Sequence, residues 1–357
     1  MLRLVLTLLI VSLAASAHAA GNLAETTLVL PCRPAPAPIT LDGTLDPAEW
    51  AGAIEVSGFR VSGSPLLAPE QVTLRALYDK TSLYLGVRCL ESQMAKVKAA
   101  VRTHDGPFWE DDAIEFFIDA SHNHQNYWQF AATAGGARYE NRDGDSAWNA
   151  DWKLAVSREQ DAWVVEAVVP FRELGLEPPA PGSLWGFNLC RERQAGGRLE
   201  LYNWADVKRV FQSPGLFGHL YFAPAGWQAD AASVRDAARK AEGRETLIFV
   251  EGGYWRVRGR RAPEQRSYQM LLDLRARTTT GQMTELRALY RDRPGLKMRE
   301  EFTRLDSRLA EVEALARTDK TVDALEWSRA AAFLDSLQER VDAIYWHARL
   351  AILNERL

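Results

Sequence analysis

The chain has 357 residues, 47% hydrophobic and 25% charged, with a formal net charge of −4; this is the composition of a folded globular protein and excludes a low-complexity chain. Its acidic excess lies before residue 229 and the remainder is slightly basic, so the front of the chain lacks the clustered Lys and Arg a nucleic-acid partner needs. Cys32, Cys89 and Cys190 have neither metal-ligand spacing nor a Cys-x-x-Cys pair, and read as small buried hydrophobes with at least one thiol left free.

Arg3 precedes an apolar run from Leu4 to Ala15, and the small-x-small triplet Ala17-His18-Ala19 follows. That layout predicts a secretory signal peptide over residues 1–20, hence an exported chain, periplasmic or extracellular. The run is shorter than the roughly 18–20 residues a membrane span needs, and nothing later comes closer. Residues 21–38, with Pro31, Pro34, Pro36 and Pro38, read as an extended Pro-rich leader.

The fold is expected to begin at Ile39. Ile39 to Gly43 reads as a strand entering a turn, and Asp46-Pro47-Ala48-Glu49 as the start of a short helix carrying Trp50 to the core. From Val72 the apolar period is two. Val72, Leu74, Ala76 and Tyr78 form one inward row and Leu83, Leu85, Val87 and Cys89 the next, joined as a hairpin. Further rows follow at Ile114/Phe116/Ile118, Trp128/Phe130/Ala132, Trp152/Leu154/Val156, Trp163/Val165/Ala167/Val169, Trp185/Phe187/Leu189 and Leu220/Phe222. Short strands separated by turn residues, with no helical repeats between them, predict an antiparallel, jelly-roll-like β-sandwich over 39–224.

Past residue 229 the period changes. Phe302, Leu305, Leu309, Val312 and Ala316 recur at alternating spacings of three and four, as do Leu334, Leu337, Val341, Ile344, Ala348 and Ala351. These are heptad, coiled-coil-like seams. With a break at Thr318 to Thr321 and an earlier helix from Ser267 to Tyr290, they predict a C-terminal α-helical hairpin or small bundle over 229–357. Such a unit serves either as a packing appendage or as a surface for self-association or protein docking.

The densest cluster of polar and aromatic residues runs from His104 to Asp119. If Ile114, Phe116 and Ile118 face the core, Glu115, Phe117 and Asp119 face the other way. Glu115 is then presented on a sheet surface, with Trp109 on the loop before it. Sugars offer apolar C–H faces and hydroxyl rims, so an aromatic plane beside a carboxylate is what a sugar site must provide.

The residues 39–43 leading to Trp50, Leu83-Tyr84-Leu85-Gly86-Val87, the run from Trp109 to Asp119, the Trp163 to Phe171 strand, Trp185-Gly186-Phe187-Asn188, Asn203-Trp204 and Pro214 to Gly218 together resemble the carbohydrate-binding module family 9 domains, within the larger group of DOMON-like sandwiches. The resemblance spans residues 39–222 and omits the tail. It implies non-catalytic binding of a mono-, oligo- or polysaccharide, with Trp109 and Trp204 sandwiching a terminal sugar ring, Glu115 bonding its hydroxyls, Arg138 assisting, and Asn203 supplying an amide beside the second Trp. It also implies structural calcium, for which Asp105, Asp111 and Asp112 are the candidate oxygen donors, although each Asp reads equally as a turn or capping residue.

Two other readings stay open. DOMON-like sandwiches include haem-binding domains, for which Met94, His104, His122 and His124 are of the right type; haem is not the expected cofactor, since no Cys-x-x-Cys-His attachment site is present. A glycosidase would use Glu115 with Asp111 or Asp112 as acid and base. No catalytic residue is assigned, because clustered acids in one loop are commoner as caps or ligands.

Overall fold

The computed structural model describes residues 26–208 and 210–354; the predicted signal peptide at 1–20 lies outside them. Strands β7 (Arg138–Arg142), β6 (Trp128–Thr133), β5 (Ala113–Asp119), β10 (Leu184–Arg193), β12 (Gly218–Phe222) and β1 (Thr26–Pro34) pair in that order. The same curled sheet continues from β1 into β3 (Val72–Tyr78), β4 (Ser82–Leu90), β9 (Ala162–Pro170) and β8 (Lys153–Arg158). Its two halves close on one core as a β-sandwich. Every predicted inward row contributes to that core, with Leu154, Val156 and Trp128 partly buried at its margin. Each fully buried large apolar side chain in those rows is worth about 1.5–3 kcal/mol over leaving it in water.

The N-terminal segment is not a leader outside the fold. Strand β1 lies in mid-sheet, parallel to β12 through Val29↔His219 to Cys32↔Phe222 and to β3 at Arg33↔Leu77. Leu30 and Cys32 enter the sandwich core, while Val29 enters a second cluster on the outer side. A strand covered on both faces reads as a continuous apolar run rather than an alternation, which is why the prolines dominated its sequence. It also makes β1 the parallel exception in a mainly antiparallel sheet.

The predicted helix before Trp50 is a single turn. Asp46 Oδ1 accepts from the Ala48 and Glu49 amides, Trp50 N donates to Asp46 O at 3.0 Å, and Gly52 follows at φ 87°. Trp50 is buried, and its Nε1 donates to Glu166 Oε1 at 3.0 Å while Glu166 Oε2 accepts the Asp42 and Gly43 amides. One outward-facing acid on β9 therefore holds both the Asp42-Gly43 turn and Trp50.

The chain does not leave the sheet at residue 224. Helix α1 (Ala231–Lys240), begun by a capping box between Asp230 and Ser233, packs Val234, Ala237 and Ala238 onto Val29, Leu184 and Tyr221. Strands β13 (Glu245–Val250), β14 (Gly253–Arg258) and β15 (Glu264–Ser267) form a meander, with β13 pairing in parallel with β1. Helices α2 (Tyr268–Asp292), α3 (Arg299–Ala316) and α4 (Ala324–Asn354) then form a small bundle. Both predicted seams are turned into its core, beside Tyr268, Leu272 and Leu286 of α2. Helix α2 touches both later helices more extensively than they touch each other, so α2 is the centre of the bundle and not an addition to an α3–α4 hairpin.

Candidate functional site

Glu115 does face away from the sandwich core, as alternation requires, but it is not open to solvent: it is 2% exposed. The register explains its company. Glu115 lies opposite Cys190 on β10 and Ala131 on β6, and Cys190 lies opposite Asn203 on β11 (Glu200–Asn203), whose other neighbour is the two-residue β2 (Arg60–Val61). Gln129, Tyr139, Asn141 and Glu192 share this outer face through the same period-two rule. Gln129 Nε2 donates to Glu115 Oε2 at 2.5 Å, and Asn141 Nδ2 donates to the Tyr139 hydroxyl at 3.2 Å.

Burial, reinforced by the neighbouring Glu192 carboxylate, pushes the Glu115 carboxyl well above the ordinary carboxylate range, and burial raises Glu192 as well. Two buried acids side by side cannot both ionise cheaply, so they share a proton, with Glu115 the donor and Glu192 the acceptor. Glu192 Oε2 and both side-chain polar atoms of Asn203 are buried without any hydrogen-bond partner. Such atoms cost about 1–3 kcal/mol each when left unpaired.

Aromatic walls bound this polar floor. At one end Trp109, 53% exposed, packs edge-on against Phe108, whose ring lies 4.9 Å from that of Tyr139. At the other, Phe117 meets Tyr127 and Phe217, with Val207 and Phe211 from the loop after β11 closing over it.

Trp204 and Arg138 are not part of this constellation. Asn203 and Trp204 are adjacent and turn opposite ways: Asn203 joins Glu115, whereas Trp204 is 1% exposed in the sandwich core between Phe187 and Phe249. Arg138 lies on β7 opposite Ala132, a core-facing residue, and its guanidinium donates to the Trp152 carbonyl. Gln129, Tyr139, Asn141 and Glu192 are the residues the sequence reading missed. Their signal was the outward parity of β6, β7 and β10, legible once β7 is recognised as a strand.

The acids assigned to calcium have other duties. Asp111 Oδ2 accepts the Val101 amide at 2.7 Å; Asp112 accepts the Lys98, Gln194 and Ala195 amides. Both are buried and fasten loops, the capping role noted above. Asp105 stands apart from them with His104 and Glu140, their ligand atoms within 4.8 Å of one another. Glu140 is itself engaged by His104 Nε2 and Trp152 Nε1. The haem candidates likewise disperse: Met94 packs on the sandwich core, His104 bonds Glu140, and His122 and His124 gather at His219.

The carbohydrate family 9 binding domain-like profile matches residues 41–223, just over half of the chain, and the chain belongs to that family of non-catalytic carbohydrate-binding modules. Among solved structures it is similar to a carbohydrate binding module family 9 from Caldicellulosiruptor kristjanssonii in complex with cellotriose, at 15% identity and TM-score 0.42, covering 57% of this chain and 96% of that one. The glucose complex of a module from the same organism gives 15% identity and TM-score 0.43, covering 58% and 100%. No curated protein sequence matches the chain.

Proposed function

We propose that the outer face of β5, β6, β7 and β10 binds the end of a carbohydrate chain, with a sugar ring against Trp109 and its hydroxyls bonded by Glu115, Glu192, Asn141 and Asn203. The observation carrying this reading is the set of unpartnered buried atoms, Glu192 Oε2 and the Asn203 amide, on one face with a half-exposed indole at its rim. A sugar hydroxyl donates and accepts at once, so it matches a face that presents both an acceptor-only carboxylate and an amide. Arg138 and Trp204 have no part in this site, and one aromatic plane replaces the two-indole sandwich. Together with the N-terminal apolar segment, the reading makes the chain an exported sugar binder.

Calorimetric titration of the full chain with glucose and cellotriose tests it. Binding lost in Trp109→Ala and in Glu192→Ala, but retained in Arg138→Ala, supports the site. Wild-type affinity in both of the first two variants rejects it.

A further inference from the structure

We infer that His122, His124 and His219 form a binding site for one divalent transition-metal ion, separate from the proposed sugar-binding face. His219 on β12 lies in register with Gly186 of β10, which in turn lies opposite Asp119 of β5. Asp119 and His219 therefore flank a glycine on the same outer face, about 13 Å along β5 from Glu115 at the usual strand rise. The Asp119 carboxylate then folds the next loop back over this row: it accepts from Ser121 Oγ and from the Asn123 and His124 amides. His122 and His124 both take left-handed backbone angles, φ 50° and 61°. A side chain beyond Cβ makes that region costly, and two such residues one apart are held there only when the surroundings insist.

The loop thereby sets His122 between the other two rings, with the His124 and His219 centroids 6.5 Å apart. His122 Nε2 and His219 Nε2 are 2.7 Å apart, and the rings of His122 lie 4.6 Å from His124 and 4.7 Å from His219. His219 is only 3% exposed; its Nδ1 makes no hydrogen bond of good geometry, and His124 Nε2 is buried with no partner at all. An N–H···N bond between His122 and His219 accounts for one contact but leaves His124 Nε2 idle.

A metal ion held by the Nε2 atoms of His122, His124 and His219 uses it. Imidazole must be neutral to ligate, and among the described residues these three rings have only one another and carboxylates for close charged company on this face. Zinc–nitrogen bonds of about 2.0–2.1 Å in tetrahedral geometry set ligand nitrogens roughly 3.4 Å apart, so the close pair needs to open by less than about 1 Å. Asp119 and Glu242 supply negative charge near His122. Three nitrogens select zinc, copper or nickel over calcium or magnesium, which need oxygen.

The test is calorimetric titration of the untagged full chain with Zn2+ after chelator treatment, in parallel with thermal denaturation with and without Zn2+. One equivalent bound, a raised melting temperature and no displacement by excess Ca2+ are expected. His122→Ala and His124→Ala, both on the partly exposed loop, should each weaken binding on the order of tenfold or more, while His104→Ala in the other histidine cluster should not. Absence of one-equivalent binding and of any Zn2+-dependent melting shift in the unaltered chain overturns the site, as does wild-type affinity in both loop variants with unchanged circular dichroism.

Discussion

Ser57 and Ser328 meet in a buried contact, their Oγ atoms 2.8 Å apart, and through it the sandwich is tied to helix α4. Beside them the Trp327 ring, itself stacked on Tyr268 at 4.8 Å, covers Gly58. A Cβ at Gly58 would lie 2.8 Å from Trp327 Cζ3, and the residue holds φ +88°. Both the left-handed backbone and the closeness of the indole demand glycine here. Gly58→Ala is expected to destabilise the chain by about 1–3 kcal/mol, read by urea denaturation.

The two tryptophans assigned together at first should behave oppositely. Trp109→Ala removes a half-exposed ring from the rim and should change stability by less than about 0.5 kcal/mol while abolishing sugar binding. Trp204→Ala opens a cavity among Phe187 and Phe249 and should cost about 3–5 kcal/mol. Chemical denaturation paired with titration separates them.

The acid pair gives stability a pH dependence. The folded chain keeps a proton on Glu115 that the unfolded chain releases above its ordinary value of 4.5. The pair's contribution is therefore fully present below that pH and declines as pH rises toward the elevated folded value, with a slope of at most about 1.4 kcal/mol per pH unit. Glu115→Gln keeps a donor without the ionisation, so the decline should shrink to the part that burial of Glu192 contributes. Equal pH profiles for the two proteins between pH 5 and 8 would contradict the assignment.

At the end of the core, Glu91 accepts two bonds from Arg193 and one from Arg191, and all three side chains are buried. Arg191 also lies over the Trp163 and Tyr202 rings. Glu91→Gln would leave two guanidinium groups without their shared anion, and a loss of about 3–5 kcal/mol is expected, checked by the denaturation midpoint.

What the sequence disclosed follows from how many faces an element exposes. The rows from Val72 to Phe222 were legible because each of those strands has one apolar side turned to the sandwich core. Strand β1 is buried on both sides and was hidden by Pro31 and Pro34. The outward direction of Glu115 could be read, yet its burial could not, since its companions Gln129, Cys190 and Glu192 reach it only through the pairing of β6 and β10 with β5. Trp204 was misplaced for a related reason. Asn203 and Trp204 were read as one motif, and only the Cys190↔Asn203 register decides which of them looks outward.

The mid-sheet position of β1 also governs the order of assembly. The first described strand finds its neighbours in β12 and in β13, which ends at Val250, so nascent chain must emerge almost to that point before Leu28, Val29 and Leu30 can be covered. Such widely separated pairing makes for slow closure. Until the β13 meander arrives, the unfinished sheet offers a bare apolar edge to any neighbouring strand. The segment after the sandwich thus acts as its last stave, and shortening the chain at residue 228 would leave that edge open for good.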